Sequence, residues 1–443
     1  MIDSDTNLNA QVLASLNRLA VTLAQLDETK SVQPCAVEDG LVNGTATLRL
    51  TDNGDTDNTL IKSSTLPIQS ISHWRTLPPE VTSAYQLLID GASYIHATST
   101  KYTLISNTGH NQESGNLAVE LRKGAELIGT GSLLLFSASC GASRSLKHYV
   151  KLNVRAVVAT VLNLLKYFED KNAGGVDTKD NNNNIGAQKT GAIWSACDKL
   201  ISSLPRGNRA AMRRELMVWM QDCNESIAEF EALMSLGPKI LALGDNDDDK
   251  EDEDASDEQY TANELKLAKA SVNLMKCSKN VLKLVLSASE CVGEHLEGLS
   301  SSQEEDESKR NDNQKERKEM LQYIADLHDK ARTIGVGVSD LGVMLYPPFE
   351  MEMDVNTEDV LSKKSQLRSN LNIPNLVNTT LGLELDCQLH SLLECVESVH
   401  HAEKTCGFTS IKECMSKDVV ESSERLLNAV HIRCKEIEEA IFW

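Results

Sequence analysis

Aromatic residues are scarce in this chain: Phe, Trp and Tyr make up 4% of 443 positions. That disfavours β-sandwiches and barrels and leaves aliphatic and small residues to supply most of the 41% apolar content, a composition that suits helices. No window approaches the roughly 18 consecutive apolar residues of a membrane-spanning helix. The best, Ala156 to Leu165, is broken by Thr160 and Asn163 and flanked by Arg155 and Lys166. The acidic start, Met1 to Thr6, lacks the basic and apolar regions of a secretory leader, so neither membrane insertion nor export is expected. Positive charge is also short: 44 Lys and Arg face 65 Asp and Glu, for a formal net charge of −21. That surplus repels phosphate backbones and anionic lipid, which argues against direct nucleic-acid and membrane partners and for protein partners. The 11 cysteines include no Cys-x-x-Cys pair and sit mostly at apolar helical positions, so reduced intracellular thiols are expected.

What the chain has is helical periodicity, apolar residues recurring at steps of three and four. Leu8, Val12, Leu16, Leu19, Leu23 and Leu26 mark a first helix. A second starts at Pro78-Pro79-Glu80, and a third runs from about Gly115 to Ser139, where Gly124, Gly129 and Gly131 allow close helix approach. Leu146, Val150, Val154, Val157, Val161, Leu164 and Phe168 stripe a fourth. A short helix over 188–204 stops at Pro205-Arg206-Gly207, and Asn208 can cap the next, whose stripe runs from Met212 to Met234. Leu267 to Val292 marks another. The clearest heptad is Met320, Ile324, Leu327, Ala331, Ile334, Val338, Leu341 and Leu345, ending at Pro347-Pro348. Phe349 to Val355 fits a strand or a loop. Helical pattern returns at 357–371, from Leu385 to Val399, and from Val420 to Ile441.

A single core stops growing at roughly 250 to 300 residues, so two units are expected. The expected fold is all-α: two bundles of four or five helices, packed at about 20° and joined by a flexible linker. Residues 1–28 supply the N-terminal helix of the first bundle, 29–72 a disordered insert, and 73–170 the remainder. Residues 171–187 are the linker, and 188–443 form the second bundle with acidic disordered inserts at 244–258 and 300–312. Asp245 to Glu258 holds ten carboxylates against one lysine, so −9 of the −21 is concentrated there.

Chemistry-bearing residues form no active-site pattern. Cys387, His390, Cys395, His400, His401, Cys406 and Cys414 include metal-capable side chains, but cysteine spacings of 8, 11 and 8 are wider than the ligand pairs of structural zinc. Buried thiols and surface histidines are the expectation. Cys140-Gly141-Ala142-Ser143-Arg144 places its arginine too close to the cysteine for a phosphate nest, and Gly335-Val336-Gly337 has no strand before it, so helix punctuation and close packing account for both. The acids form no recognisable pair of inward-facing Glu-x-x-His motifs like those of the di-iron bundles. Lys309, Arg310, Lys315, Arg317 and Lys318 are interrupted by acids and suit a solvated helix start. Ser256, Ser301 and Ser302 fit either acid-directed phosphorylation or a merely solvated linker. The chain is therefore expected to be no enzyme and to hold no cofactor or metal.

Two stretches carry more than composition. Trp194-Ser195-Ala196-Cys197, followed by Leu204-Pro205-Arg206-Gly207-Asn208-Arg209-Ala210-Ala211, resembles the central motif of the cyclin-D1-binding protein 1 family, the Grap2- and cyclin-D-interacting, maternal Id-like proteins. Val338-Ser339-Asp340-Leu341-Gly342-Val343-Met344-Leu345-Tyr346-Pro347-Pro348 is similar to its second motif. Weaker similarity runs from His73-Trp74-Arg75 through Phe168. The resemblance implies an all-helical protein, similar in architecture to vinculin and talin bundles. It also implies an intracellular protein of cytoplasm and nucleus that binds cyclin D and helix-loop-helix factors and restrains cell-cycle entry and transcription. Trp194, Cys197, Pro205, Arg206, Asn208, Asp340, Leu341, Tyr346, Pro347 and Pro348 are the motif residues, with Trp194, Pro205 and Tyr346 to Pro348 open to two readings: core and helix-stop residues, or direct partner contacts. A vinculin-like cytoskeletal adaptor is the alternative function.

Overall fold

The computed structural model describes residues 3–30, 71–172, 182–238, 259–301, 307–349, 380–403 and 410–441. The fold is all-α, with no strand among these residues. The helices are α1 (Asp3–Gln25), α2 (Pro79–Asn107), α3 (Asn111–Phe136), α4 (Arg144–Asn172), α5 (Asn182–Ser203), α6 (Asn208–Ser235), α7 (Ala262–Ser301), α8 (Glu307–Met344), α9 (Thr380–His400), the short α10 (Ser410–Cys414) and α11 (Lys417–Ile441). They fall into two compact units, and the boundary lies between Met212 and Arg213.

The first unit is a closed ring of five helices, with contacts running from α1 to α3, α2, α5, α4 and back to α1. Aliphatic stripes fill it: Val12, Leu16 and Leu23 from α1, and Leu146 through Phe168 from α4, are all buried. The closest seam is α2 against α3, set by glycine. A Cβ on Gly91 would stand 2.8 Å from the Gly124 carbonyl oxygen, and one on Gly131 2.8 Å from that of Ala84, so only hydrogen fits at these crossings. A Cβ on Gly129 would meet Leu19 of α1 at 2.7 Å, so α1 is seated by the same device. Past the end of α1, Lys151 Nζ donates to the Leu26 carbonyl (2.5 Å), where it complements the helix C-terminus, and Lys147 Nζ donates to the Lys30 carbonyl (3.0 Å) in the turn that follows. Burial pushes Lys147 down to about 8, against the opposing pull of Asp27.

Here the domain expectation is corrected. α5 belongs to the first unit rather than the second, packing on α2 and α4 with Ile193, Cys197, Leu200 and Leu204 in that core. Thr103 and Thr190 hydrogen-bond at 2.6 Å across the α2–α5 seam, and a Cβ on Gly186 would touch Phe168. The expected linker over 171–187 is helical at both ends, through Asn172 and from Asn182, and its middle lies outside the described residues. The 29–72 insert is likewise anchored at its edges. Thr29 hydrogen-bonds Asp27, and Ser72 donates to Cys140 O; the rest lies outside the described residues.

The second unit is a ring of four helices with α6 packed on it. α7 contacts α11, α11 contacts α9, and α9 contacts α8. α8 and α7 meet directly and close that circle of four, and α6 is joined to it through side chains, Glu215 to Arg332 of α8 and Glu231 to Lys276 of α7. Every residue of the Met320 to Leu345 heptad is buried. Part of the 300–312 insert is helix, because α8 starts at Glu307 and its mixed charges contain no breaker. The 244–258 insert and the 357–371 pattern lie outside the described residues.

Candidate functional site

The first motif forms a knot in which one amide ties three chain segments. Asn208 is fully buried at the start of α6. Its Nδ2 donates to the carbonyls of His73 (2.8 Å) and Gly141 (3.0 Å), and its Oδ1 accepts the Ser143 N–H (2.7 Å). It is thus not the helix cap the sequence suggests. Its polar atoms face the turns before α2 and α4 and satisfy buried backbone groups that helix formation leaves over. Tyr85 of α2 completes the knot, donating to Pro205 O (2.6 Å) and accepting from Gly207 N (3.0 Å). Burial pushes this phenol up to about 12, opposed by the Gly207 N–H, so it remains a neutral donor. Gly207 has φ +86°, and a Cβ there would meet Leu77 at 2.8 Å. Pro205 and Cys197 are buried, Arg206 is exposed. Trp194 corrects the core reading: it is 38% exposed and stacks on the His96 ring at 5.3 Å, with Asp198 beside that histidine.

The second motif forms an equivalent knot in the second unit, around a carboxylate. Thr261 and Glu264 make a capping box at the start of α7: Thr261 N donates to Oε2 (2.7 Å) and Glu264 N to the threonine hydroxyl (3.3 Å). The other oxygen of Glu264 accepts the Phe349 N–H (2.8 Å), binding the chain that leaves α8. Tyr260 donates to Leu345 O (2.7 Å), and its ring meets Phe349 edge-on at 5.6 Å. Pro347-Pro348, joined by a cis bond, lies between. Leu341 is buried on the seam, whereas Asp340 and Tyr346 are exposed, and Tyr346 rests on Phe230 with its hydroxyl on Glu229. Tyr346 is therefore only half a helix-stop residue; its ring faces solvent as well as α6.

Sequence reasoning missed two buried polar groups of the second unit. Arg332 grips Glu215 through two bonds of 2.7 and 2.8 Å, His328 lies 3.7 Å from the same carboxylate, and Trp219 packs against the imidazole and the guanidinium. Gly335 makes room for that indole. Gln388 of α9 donates to Ser278 of α7 (2.9 Å) and to Ile334 O of α8 (3.1 Å), with Gly337 against its amide. The Thr261-x-x-Glu264 spacing is a local capping signal that the reading of the sequence passed over, whereas residues 117 apart, such as Glu215 and Arg332, leave no local signal.

Comparison with known families agrees with the motifs. A model described as Grap2 and cyclin-D-interacting, N-terminal, matches residues 87–235, and its C-terminal counterpart matches residues 244–372. The chain belongs to the Grap2 and cyclin-D-interacting family. The second knot lies within its matched half, and the first within its own apart from His73 and Tyr85. The N-terminal match ends with the last residue of α6, while the compact units of this family member divide near the start of that helix. No curated protein and no solved structure matches the chain. Among the described residues, no three His, Cys, Asp or Glu side chains gather as metal ligands, and no helix is long and apolar enough to cross a membrane.

Proposed function

We propose that this chain is a non-enzymatic regulator that binds cyclin D and helix-loop-helix factors and, by sequestering them in cytoplasm and nucleus, restrains cell-cycle progression and transcription. The observation that carries the reading is the match of both halves to a family described by its interaction with Grap2 and cyclin D. Its motif residues divide into two sets. The buried set, Asn208, Pro205 and Leu341, holds the bundles together. The exposed set, Trp194 and Arg206 in one unit and Asp340, Val343 and Tyr346 in the other, is what a partner meets. Tryptophan, tyrosine and arginine are the residues on which interface energy concentrates, and a net charge of −21 favours holding a DNA-binding partner over touching DNA.

Biolayer interferometry against purified cyclin D tests this with Trp194→Ala/Arg206→Ala and Val343→Asp/Tyr346→Ala. Weakening by tenfold or more in at least one pair, at unchanged thermal midpoint, is expected. Wild-type chain that does not bind cyclin D sinks the reading, and co-sedimentation with filamentous actin would then favour the vinculin-like adaptor. In a gel shift, a helix-loop-helix dimer should lose its shifted band without a new one; a supershifted complex would contradict sequestration.

A further inference from the structure

Val343 of α8 is 76% exposed, and it does not stand alone. α6 and α8 run side by side in the same direction, since Glu215 meets Arg332, Trp219 lies over Gly335, and Phe230 packs on Tyr346. Their outward flanks bound a groove. Val336, Val343 and Tyr346 form its exposed wall on α8, spaced by two turns and by one. Gly342 keeps the floor low between them, because a Cβ there would find nothing nearer than Ser226 Oγ at 3.8 Å. The α6 wall is different in kind: Asp222, Glu225 and Glu229 follow the exposed Val218 at helical spacing along that flank, and Asp340 adds another carboxylate on the α8 side. Among the described residues no cation answers these four. α6 has no lysine or arginine between Glu215 and Ser235, and α8 has none beyond Arg332, which is bound to Glu215. Glu225 accepts from the Gln221 amide and Glu229 from the Tyr346 hydroxyl, both neutral donors. Burial, with Glu225 beside it, lifts the Asp222 carboxyl above its ordinary value, as expected where positive charge is lacking.

We propose that the α6–α8 groove docks a basic amphipathic helix of another protein, with its aliphatic stripe on Val336 and Val343 and its lysines and arginines along the flank that faces Asp222, Glu225 and Glu229. The groove is about three turns long, and a third helix laid on two parallel neighbours meets both at ordinary packing distance. The charge of the occupant follows from the acidic wall. Whatever covers it takes three carboxylates out of water, and a charge buried without a partner is costly, so the occupant has to bring cations. A second copy of this chain, at −21 overall, meets the groove with repulsion instead. The inference deepens the reading above and rests on it in taking Val343 and Tyr346 as partner contacts; what it adds is the chemistry of the partner.

The test titrates the full chain into two fluorescein-labelled designed helices that share one aliphatic stripe, one with lysines along a flank and one with glutamates there, and reads fluorescence anisotropy. The lysine peptide should bind more tightly than the glutamate peptide by about 30-fold or more, and should lose affinity as salt rises from about 50 to 300 mM. Asp222→Asn/Glu225→Gln/Glu229→Gln and, separately, Val336→Ser/Val343→Ser should each weaken it about tenfold without lowering the thermal midpoint. Asp247→Asn/Asp248→Asn/Asp249→Asn removes as much charge from another acidic segment and should change nothing. Equal weakening there would reduce the binding to general attraction and overturn the proposal, as would equal affinity for the two peptides. Two other occupants would overturn it as well. A rise in affinity of about tenfold in Lys363→Glu/Lys364→Glu/Arg368→Glu would give the groove to a segment of this chain, and a dimer in sedimentation velocity that Val336→Ser/Val343→Ser dissociates would give it to a second copy. Failure of the lysine peptide to bind sinks this proposal alone, whereas peptide binding by a chain that does not bind cyclin D sinks the reading above alone.

Discussion

The two bundles bring their five helices together by opposite means. The first brings backbones together: Gly91, Gly124 and Gly131 let α2 and α3 approach until carbonyl oxygens occupy the place of side chains, and the amide at its motif knot, Asn208, is uncharged. The second keeps side chains at its crossings and buries charge among them, with Glu215, His328 and Arg332 around Trp219 and Gln388 at the meeting of three helices. The contrast shows that an aliphatic stripe fixes which face of a helix turns inward but not how near its neighbour comes. That distance depends on single residues, glycine in one unit and tryptophan against glycine in the other.

The contrast can be broken most sharply at Asn208. Asn208→Ala would leave one buried N–H and two buried carbonyls without this partner, a loss of about 4 kcal/mol at 1–3 kcal/mol per group, measured by denaturant unfolding. No neighbouring substitution should restore it, because the groups that lose the amide are backbone, although the Gly141 carbonyl keeps the Ser72 N–H. Arg332→Met should cost about 3 kcal/mol, since it strands the Glu215 carboxylate, but Glu215→Leu/Arg332→Met should recover most of that. A double variant as unstable as the single one would show that the ion pair itself holds the second bundle. Gly91→Ala should cost about 2 kcal/mol, as its methyl meets the Gly124 carbonyl and the Ile128 side chain at 2.8 Å. An unchanged midpoint there would mean that the α2–α3 seam can slide.

The smallest effect separates the units by pH. Burial, with Asp329 nearby, raises Asp326 from 3.8 to about 6 despite the Gln322 hydrogen bond and Lys330. The native second unit therefore binds more protons than the unfolded chain between those values, and this carboxyl's contribution to stability falls as pH rises through the window. Asp326→Asn should raise stability at pH 7 by about 1 kcal/mol after solvent screening of a half-buried group, and flatten the profile between pH 4 and 6. A variant with the wild-type profile would place the carboxyl in water.

Much of this architecture was legible. The stripes of α4 and α8 are buried residue for residue, and the glycines of α3 do permit the close approach their spacing suggested. Periodicity is silent about partners, however. Nothing between Gln188 and Leu204 says that this helix joins α2 and α4 rather than the helices that follow, because the deciding contacts, such as Thr103 to Thr190, join residues 87 apart. The Asn-rich stretch before it looked like a boundary because composition reports local propensity, not which core a helix completes. The motifs were found as strings, but their roles were not. Asn208 sits where a cap belongs yet spends its amide on distant turns, and Trp194 sits on an apolar stretch yet stacks at the surface.

The distribution of thiols gives each bundle its own clock. Cys197 in the first unit and Cys223 and Cys395 in the second are buried, and burial lifts each of them to about 12. Against an ordinary thiol near 9, that lowers the reactive thiolate roughly 1000-fold at neutral pH, so an alkylating reagent can reach these positions only when the surrounding helices open. Mass spectrometry of peptides labelled over time would then record two opening rates from one native sample, one per bundle, with no fluorophore or engineered residue.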